Sequence, residues 1–193
     1  IAITFDLTNV DAVQAALTPA VAGTIAAAGG PPHAIVSSAM VVTGMDVGST
    51  FTVKTISSSS SVAGATNTIS VGLKIDNAAL AAADAITITM GANKFTTANA
   101  ATLTVAGTDA AKFGSAADWV KATGVLTLTV AAGQSVAADT AIAITFDLVN
   151  VDAVQAALTP TVAGTAIAAA GGTAIASSDM AVTGMNVARS EER

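Results

Sequence analysis

Residues 142–148 read Ile-Ala-Ile-Thr-Phe-Asp-Leu, with a bulky apolar side chain at every second position. Because successive side chains of a β-strand point to opposite faces, this alternation predicts a strand with one buried and one solvated face. The same pattern, with threonine prominent on the solvated face, recurs at 51–53, 68–75, 86–90, 102–105 and 126–130. Ile56 is out of phase with Phe51 and Val53, which predicts a bulge or a strand end near it.

Strands that are apolar on one face only are typical of antiparallel sheets that pack on one side. Glycine-containing turns separate them at 63–64, 91–93, 107–109 and 132–134. We therefore expect an all-β fold, an antiparallel β-sandwich of the immunoglobulin-like or jelly-roll type, with one or two short helices. Asn9 is a candidate N-cap for about two helical turns that end before Pro19, and 108–113 allow one further turn.

The stretch at 142–148 belongs to a segment that occurs twice in the chain. Residues 1–24 and 142–165 are identical at 22 of 24 positions, and 35–47 match 175–187 at 9 of 13. The period is about 141 residues, so each unit is the size of a domain rather than of a solenoid repeat. The sequence thus predicts a tandem-repeat protein whose partial copy (the C-terminal third of a unit) spans 1–47. A complete sandwich unit spans 48–187, and a charged tail spans 188–193.

The composition excludes several kinds of function. The chain has no cysteine, which excludes disulfide frameworks, cysteine-ligated metal centres and thiol chemistry. Its net charge of −6 argues against binding to nucleic acid, which requires clustered lysine and arginine. No run of 18 residues escapes interruption by threonine, serine, glycine or aspartate, so we expect no membrane insertion. All arginine and glutamate residues lie in the last five positions, as is typical of a solvated tail.

The side chains that usually carry chemistry are sparse. His33 is the only histidine, and it lies beside two prolines in an expected loop, with no partner that would make it a base or a metal ligand. The aspartates of the repeat would suit calcium at a junction between units, but solvated or turn-capping aspartate is the commoner role. These aspartates are Asp6, Asp11, Asp46, Asp147 and Asp152. We therefore expect no catalytic, cofactor-binding or metal-binding residue, and no enzyme.

Three groups of side chains are candidates for other roles. Trp119 with Phe95 and Phe113 offers a platform for stacking carbohydrate, although three aromatics in a sandwich more often form core. Threonine pairs at 87/89, 102/104 and 127/129 resemble the flat arrays of ice-binding surfaces, with ordinary strand propensity as the alternative. Because Asn-x-Ser/Thr sequons are absent, any glycan would be O-linked, on a serine run expected to form an exposed loop. The candidate O-glycan sites are Ser57, Ser58, Ser59, Ser60 and Ser61.

Five stretches of the sequence together form a recognisable pattern: 71–77 (VGLKIDN), 85–89 (AITIT), 107–114 (GTDAAKFG), 124–130 (GVLTLTV) and 144–148 (ITFDL). In these stretches the sequence resembles extracellular repeat proteins predicted in microalgae and other aquatic microbes, which contain Ala/Thr/Gly-rich β-sandwich modules in tandem. It is also similar to protomers of helical filaments found in fresh water. The resemblance implies a structural role at a cell surface or in a shed fibre, and it supplies no catalytic residues.

These observations favour a structural subunit of an extracellular filament or surface stalk that assembles head to tail with copies of itself. Residues 1–47 alone have too few strands to bury an apolar face, which predicts either β-strand addition to a neighbour or packing within the same chain. The candidate assembly strand comprises Ile1, Ile3, Phe5 and Leu7. An adhesin or carbohydrate-binding module that binds glycans is the alternative, and an ice-binding protein is a minor one.

Overall fold

A computed structural model describes residues 20–25, 33–39, 49–167 and 173–188, the first two ranges by their backbone. The chain divides into two compact units, Ile1–Val47 and Gly48–Arg193. The prediction of an all-β fold is confirmed, because the helical structure among the described residues is limited to one short 3₁₀ turn, Ala110–Phe113. That turn falls within the stretch 108–113, where the sequence predicts one turn.

In the first unit, strands β1 (Ala20–Ile25) and β2 (His33–Ala39) pair antiparallel as a two-stranded sheet. The register shifts between Val21 and Gly23, which marks an irregularity in β1. His33 is the first residue of β2, opposite Ile25, so the expectation that it lies in a loop is wrong.

The second unit contains a single sheet of ten strands in the order β11-β10-β5-β8-β7-β6-β9-β4-β3-β12. The strands are β3 (Phe51–Ser58), β4 (Thr66–Ile75), β5 (Ala85–Thr89), β6 (Ala100–Ala106), β7 (Ala116–Val120), β8 (Val125–Thr129), β9 (Ala141–Val149), β10 (Thr161–Ile167), β11 (Thr173–Asp179) and β12 (Ala181–Thr183). Every pair is antiparallel except β12 with β3.

The sheet curls until it nearly closes into a barrel. Its two edge strands, β11 and β12, are consecutive in sequence and are separated only by Met180. Met180 is buried, and its backbone N–H donates to the carbonyl oxygen of Pro160 at 2.9 Å. The chain therefore crosses from one edge of the sheet to the other within one residue, while β11 also lies against β3.

The core occupies the concave face of this sheet, and the alternating patterns supply it. Every apolar residue of the periodic stretches in β4, β5, β8 and β9 is buried, as the sequence predicts. The expectation that Phe51 and Val53 share a face is wrong, because the register shifts between them and leaves Val53 40% exposed while Phe51 is buried. Ile56 is buried beyond this irregularity.

A helix after Asn9 lies outside the described residues, but its second copy at 150–158 is not helical. Asn150 does not cap a helix there. Instead its side-chain amide donates to the carbonyl oxygens of Ser60 and Val62, at 3.2 and 2.9 Å. The backbone N–H of Gln155 donates to the carbonyl oxygen of Val187 at 3.0 Å, which ties the segment to the sheet in extended form. These long-range hydrogen bonds replace the local ones that a helix would make.

The turn between β7 and β8 requires glycine at position 124. Gly124 has a φ of +67°, a left-handed conformation, and a Cβ placed there would overlap the carbonyl group of Gly91. The carbonyl of Gly124 in turn accepts the backbone N–H of Met90 at 2.8 Å. The close approach of the β7–β8 turn to the end of β5 therefore depends on the missing side chain.

We expect Gly124→Ala to lower the free energy of unfolding by about 2–5 kcal/mol, because backbone strain and a clash with backbone add together. Gly133→Ala is the matched control, since Gly133 has a φ of +75° but a Cβ placed there would have no neighbour within 4 Å. Strain alone should then cost about 1–2 kcal/mol. Urea unfolding monitored by tryptophan fluorescence measures both, and equal losses would contradict the role of the contact with Gly91.

Candidate assembly surface

Strand β9 joins the sheet of the second unit into one piece. It pairs with β4 along its whole length, from Ala141 opposite Lys74 to Val149 opposite Thr66. On its other side it pairs with β6 at Thr145 and Phe146. Without β9 the strand order would fall into two fragments, β11-β10-β5-β8-β7-β6 and β4-β3-β12. The first strand of the repeated segment therefore lies inside the sheet and joins its two parts.

The inward face of β9 is apolar and fully enclosed. Ile142, Ile144, Phe146 and Leu148 are each at most 2% exposed. Complete burial of such side chains contributes roughly 1.5–3 kcal/mol each, so the four contribute roughly 6–12 kcal/mol before chain entropy is subtracted. Burial of this face therefore contributes much of the free energy that keeps β9 in the sheet.

A buried pair of amides fixes the register of β9 at its C-terminal end. The side-chain Nδ2 of Asn67 donates to Oδ1 of Asn150 at 2.9 Å, and both residues are nearly inaccessible. Oδ1 of Asn67 accepts the backbone N–H groups of Ser59 and Ser60 at 3.0 and 3.1 Å. Because buried polar groups that lose a partner are costly, a slip of β9 along β4 would break this network.

The N-terminal end of β9 is held by a charged side chain. Oδ2 of Asp109 accepts the backbone N–H of Ala143 at 2.8 Å, and Oδ1 lies 2.9 Å from Nζ of Lys112. The hydrogen bond and charge of Lys112, together with the N–H of Ala143, lower the pKa of Asp109 below its usual range. This carboxylate continues the pairing of β9 beyond the last residue of β6.

The remainder of the C-terminal copy, defined as 142–187, completes both edges of the sheet. Strand β10 pairs with β5 over 161–165, and β12 pairs with β3 over 181–183. Just beyond the copy, Ala188 bridges to Val62. The central segment, 48–141, thus receives the strands of the copy along three of its edges, which we call the acceptor site: the gap between β4 and β6, the edge of β5 that pairs with β10 and the edge of β3 that pairs with β12.

The two copies differ only at positions that the second copy leaves at least partly exposed. Its buried residues, Asn150 and the β9 face included, are all identical in 1–24 and 35–47. The differing positions within the aligned stretches are Val149, Thr161, Ala176, Asp179, Ala181 and Asn186. Both copies therefore have the same side chains at the positions that the second copy buries against the acceptor site.

The hairpins of the two copies share one register as far as Gly23 and Gly164, and the second hairpin has a further shift between Gly164 and Ile167. Val21 lies opposite Ser38 and Gly23 opposite Ile35, as Val162 lies opposite Ser178 and Gly164 opposite Ile175. Each hairpin has its first register shift between the valine and the glycine. The assembly strand predicted at Ile1, Ile3, Phe5 and Leu7 lies outside the described residues, and its second copy is β9.

The expected carbohydrate-stacking platform is wrong for its three aromatic residues. Phe95, Phe113 and Trp119 are buried, at 3% exposure or less. The rings of Phe95 and Trp119 meet edge to face, with centroids 6.0 Å apart, and Nε1 of Trp119 donates to the carbonyl oxygen of Thr97 at 3.1 Å. They form core, as the alternative interpretation held.

The serine run is partly strand rather than an exposed loop. Ser57 and Ser58 belong to β3, and Oγ of Ser58 donates to the carbonyl oxygen of Gly184 at 2.5 Å. Oγ of Ser59 accepts the N–H of Thr68 at 2.9 Å, and Oγ of Ser60 accepts that of Val62 at 3.2 Å. Ser61 is exposed. O-glycosylation of the run stays a prediction.

The threonine pairs of β5 and β8 lie on neighbouring strands. Thr87 is directly opposite Thr127, and Thr89 is opposite Thr161 of β10. Thr89 and Thr129 are exposed, while Thr87 and Thr127 are half-buried. The outer surface of these three strands therefore presents a threonine-rich face.

The aspartates are dispersed where the structure describes them. Oδ1 of Asp147 accepts the hydroxyl of Thr68 at 2.7 Å, and Asp152 is exposed. Asp6, Asp11 and Asp46 lie outside the described residues. Within the described ranges, no three His, Cys, Asp or Glu side chains come together as a metal-binding group. Over the same ranges, no helix has the length and apolar character needed to cross a membrane.

No protein-family model matches the sequence, and a search of curated proteins finds no match.

We expect Asp109→Ala to lower the free energy of unfolding by about 1–2 kcal/mol at pH 7, because the β9 N–H and Lys112 lose a charged partner. Since the folded-state pKa of Asp109 is lowered, its contribution is complete above the unfolded pKa of about 3.9 and is lost as pH falls through the folded value. The difference between variant and wild type should therefore shrink below about pH 4. Asp118→Ala, at an exposed position of β7, is the control. A loss that is constant down to pH 2 would contradict this role.

Proposed function

We propose that this protein is a structural subunit of an extracellular filament or cell-surface stalk, not an enzyme, and that its subunits assemble head to tail with copies of themselves. Assembly uses β-strand addition by the stretch that contains Ile1, Ile3, Phe5 and Leu7. The observation that carries the proposal is the complete burial of the identical residues in β9. Side chains that fill a core in one copy make an adhesive strand in the other.

We also propose that the curled sheet is a tandem-repeat β-sandwich of the immunoglobulin-like or jelly-roll type. In this description one layer is β11-β10-β5-β8-β7-β6 and the other is β6-β9-β4-β3-β12. The division is supported by β6, which pairs with β7 over 100–104 and reaches β9 only at Val105 and Ala106. One strand shared at a corner is how sheets pass from layer to layer.

The double variant Ile3→Asp/Phe5→Asp tests the assembly strand. It should abolish polymerisation, because two charges on the face that must be buried cost several kcal/mol, while the second unit keeps its fold. Electron microscopy and light scattering over a concentration series measure assembly, and circular dichroism measures folding. Ala2→Asp/Thr4→Asp places the same charges on the opposite, solvated face and should polymerise like the wild type. Normal fibres from the first variant would show that this strand does not connect subunits.

The threonine-rich face favours a second candidate function, binding to ice. Thr87, Thr127 and their neighbours form rows on adjacent strands, and a face of short, branched, conformationally stiff side chains suits an extended ordered surface. Thr87→Lys/Thr127→Lys should then abolish inhibition of ice recrystallisation, whereas Thr102→Lys/Thr104→Lys on β6 should reduce it less. Absence of thermal hysteresis and of recrystallisation inhibition in the wild type would reject this function.

A further inference from the structure

The chain carries two copies of one set of strands, whereas the described residues of the second unit form one acceptor site. We propose that the N-terminal copy, 1–47, of one molecule occupies the acceptor site of a second copy of this chain, in the place of its residues 142–187. The inference rests on the proposed function, and it names the surface that receives the assembly strand. It identifies that surface as the gap between β4 and β6 with the edges of β5 and β3 that pair with β10 and β12.

The N-terminal copy has every side chain that the acceptor site encloses. Phe5 would replace Phe146 against β4 and β6, and Asn9 would replace Asn150 as the hydrogen-bond partner of Asn67. The differences between the copies fall where the second copy is exposed or half-buried, so none of them changes a group enclosed by the site. The N-terminal copy therefore offers the acceptor site the same apolar face and the same buried amide.

The backbone of the N-terminal copy is also suited to the site. From Ala20 to Gly23, strand β1 has the register that Thr161 to Gly164 of β10 have relative to their hairpin partner, with the same register shift after the valine. In the second unit, β10 uses its other edge to pair with β5, from Thr161 opposite Thr89 to Thr165 opposite Ala85. The corresponding edge of β1 is unpaired among the described residues of its two-stranded sheet. Residues 20–24 thus have the hydrogen-bonding groups that the edge of β5 requires.

Chain length excludes the acceptor site of the same molecule. The C-terminal copy ends beside Val62, past the C-terminal end of β3, where the N–H of Ala188 donates to the carbonyl oxygen of Ser61 at 2.7 Å. Val47 corresponds to Val187 and is four residues from Phe51, at the opposite end of β3. Four residues span at most about 14 Å, whereas β3 is about 23 Å long at ~3.3 Å per residue. A seated N-terminal copy must therefore belong to another molecule.

The two copies compete on unequal terms. Residues 142–187 follow the central segment directly and act at a high effective concentration, which favours the self-completed molecule. If the C-terminal copy is disabled, each central segment can be completed only by the N-terminal copy of the next molecule. Because that next molecule has the same need, the exchange continues from molecule to molecule as a head-to-tail chain, which stays open where the rotation between neighbours does not close it into a ring.

Phe146→Asp in the full-length chain tests this proposal. A buried charge removes the C-terminal copy from the acceptor site while Phe5 stays intact. After refolding from denaturant, we expect no folded monomer. The β-sheet circular dichroism and the fluorescence typical of a buried Trp119 should recover only as the protein concentration rises. This recovery should parallel the increase in mass measured by light scattering. Thr145→Asp, on the outward face of β9, is the matched control and should remain a folded monomer wherever the wild type does.

The double variant Phe5→Asp/Phe146→Asp distinguishes strand exchange from other association. It should show no folded signal at any concentration, and addition of the Phe146→Asp chain should restore part of that signal by donating an intact N-terminal copy. A Phe146→Asp chain that folds as a monomer, that stays unfolded at all concentrations, or that behaves like the double variant would overturn the proposal.

The outcome is separable from that of the proposed function. If the wild-type protein forms no fibres but Phe146→Asp folds and assembles as concentration rises, the filament function is rejected and strand exchange between molecules is supported. If fibres form in the wild type and also in Ile3→Asp/Phe5→Asp, and the Phe146→Asp chain never recovers its fold, the protein is a polymer whose subunits do not join through this acceptor site.

Discussion

The fold depends on the position of β9 between β4 and β6. Nine consecutive residue pairs hold it to β4, whereas β6 contributes two, and Asp109 adds one further hydrogen bond from its side chain. A strand held at two sides and enclosed on its apolar face closes the core for both halves of the sheet. Because β9 comes late in the sequence, the strands before it have no continuous sheet until it is added.

The polar groups around β9 explain why its pairing is specific. An apolar face of two isoleucines, a phenylalanine and a leucine would also tolerate a shift by two residues, since such a shift keeps the face inward. The side-chain amides of Asn67 and Asn150 meet in one register only, and a shift of β9 would separate the buried Nδ2 of Asn67 from the buried Oδ1 of Asn150. Burial thus supplies the strength of the contact, and the amide pair supplies its alignment.

Local patterns in the sequence were sufficient for the class of fold and for most of the core. The alternation of bulky and small residues identified β4, β5, β8 and β9 because each has a periodic apolar face. Strands β10 to β12 are harder to predict from the sequence. A stretch such as Thr161–Ile167 is mostly alanine, glycine and threonine, and it is a strand because it pairs with β5. The helix predicted after Asn9 lies outside the described residues. In its second copy, Asn150 and Gln155 form hydrogen bonds to residues distant in the sequence, which local patterns do not reveal. The acceptor site required the structure, because the exposure of the differing positions is visible only there.

The parallel pairing of β12 with β3 has a mechanical consequence. The chain enters the second unit at the start of β3, and the C-terminal copy ends beyond the other end of that strand. The first and last described residues of the unit therefore lie at opposite ends of two neighbouring strands. Tension between these points pulls β3 and β12 past each other, along the strands and across their hydrogen bonds. Bonds loaded in this direction share the force and must break together, whereas bonds at the end of a hairpin pulled open break in turn. A unit built in this way resists stretching along its axis more strongly than its few β3–β12 pairs would suggest.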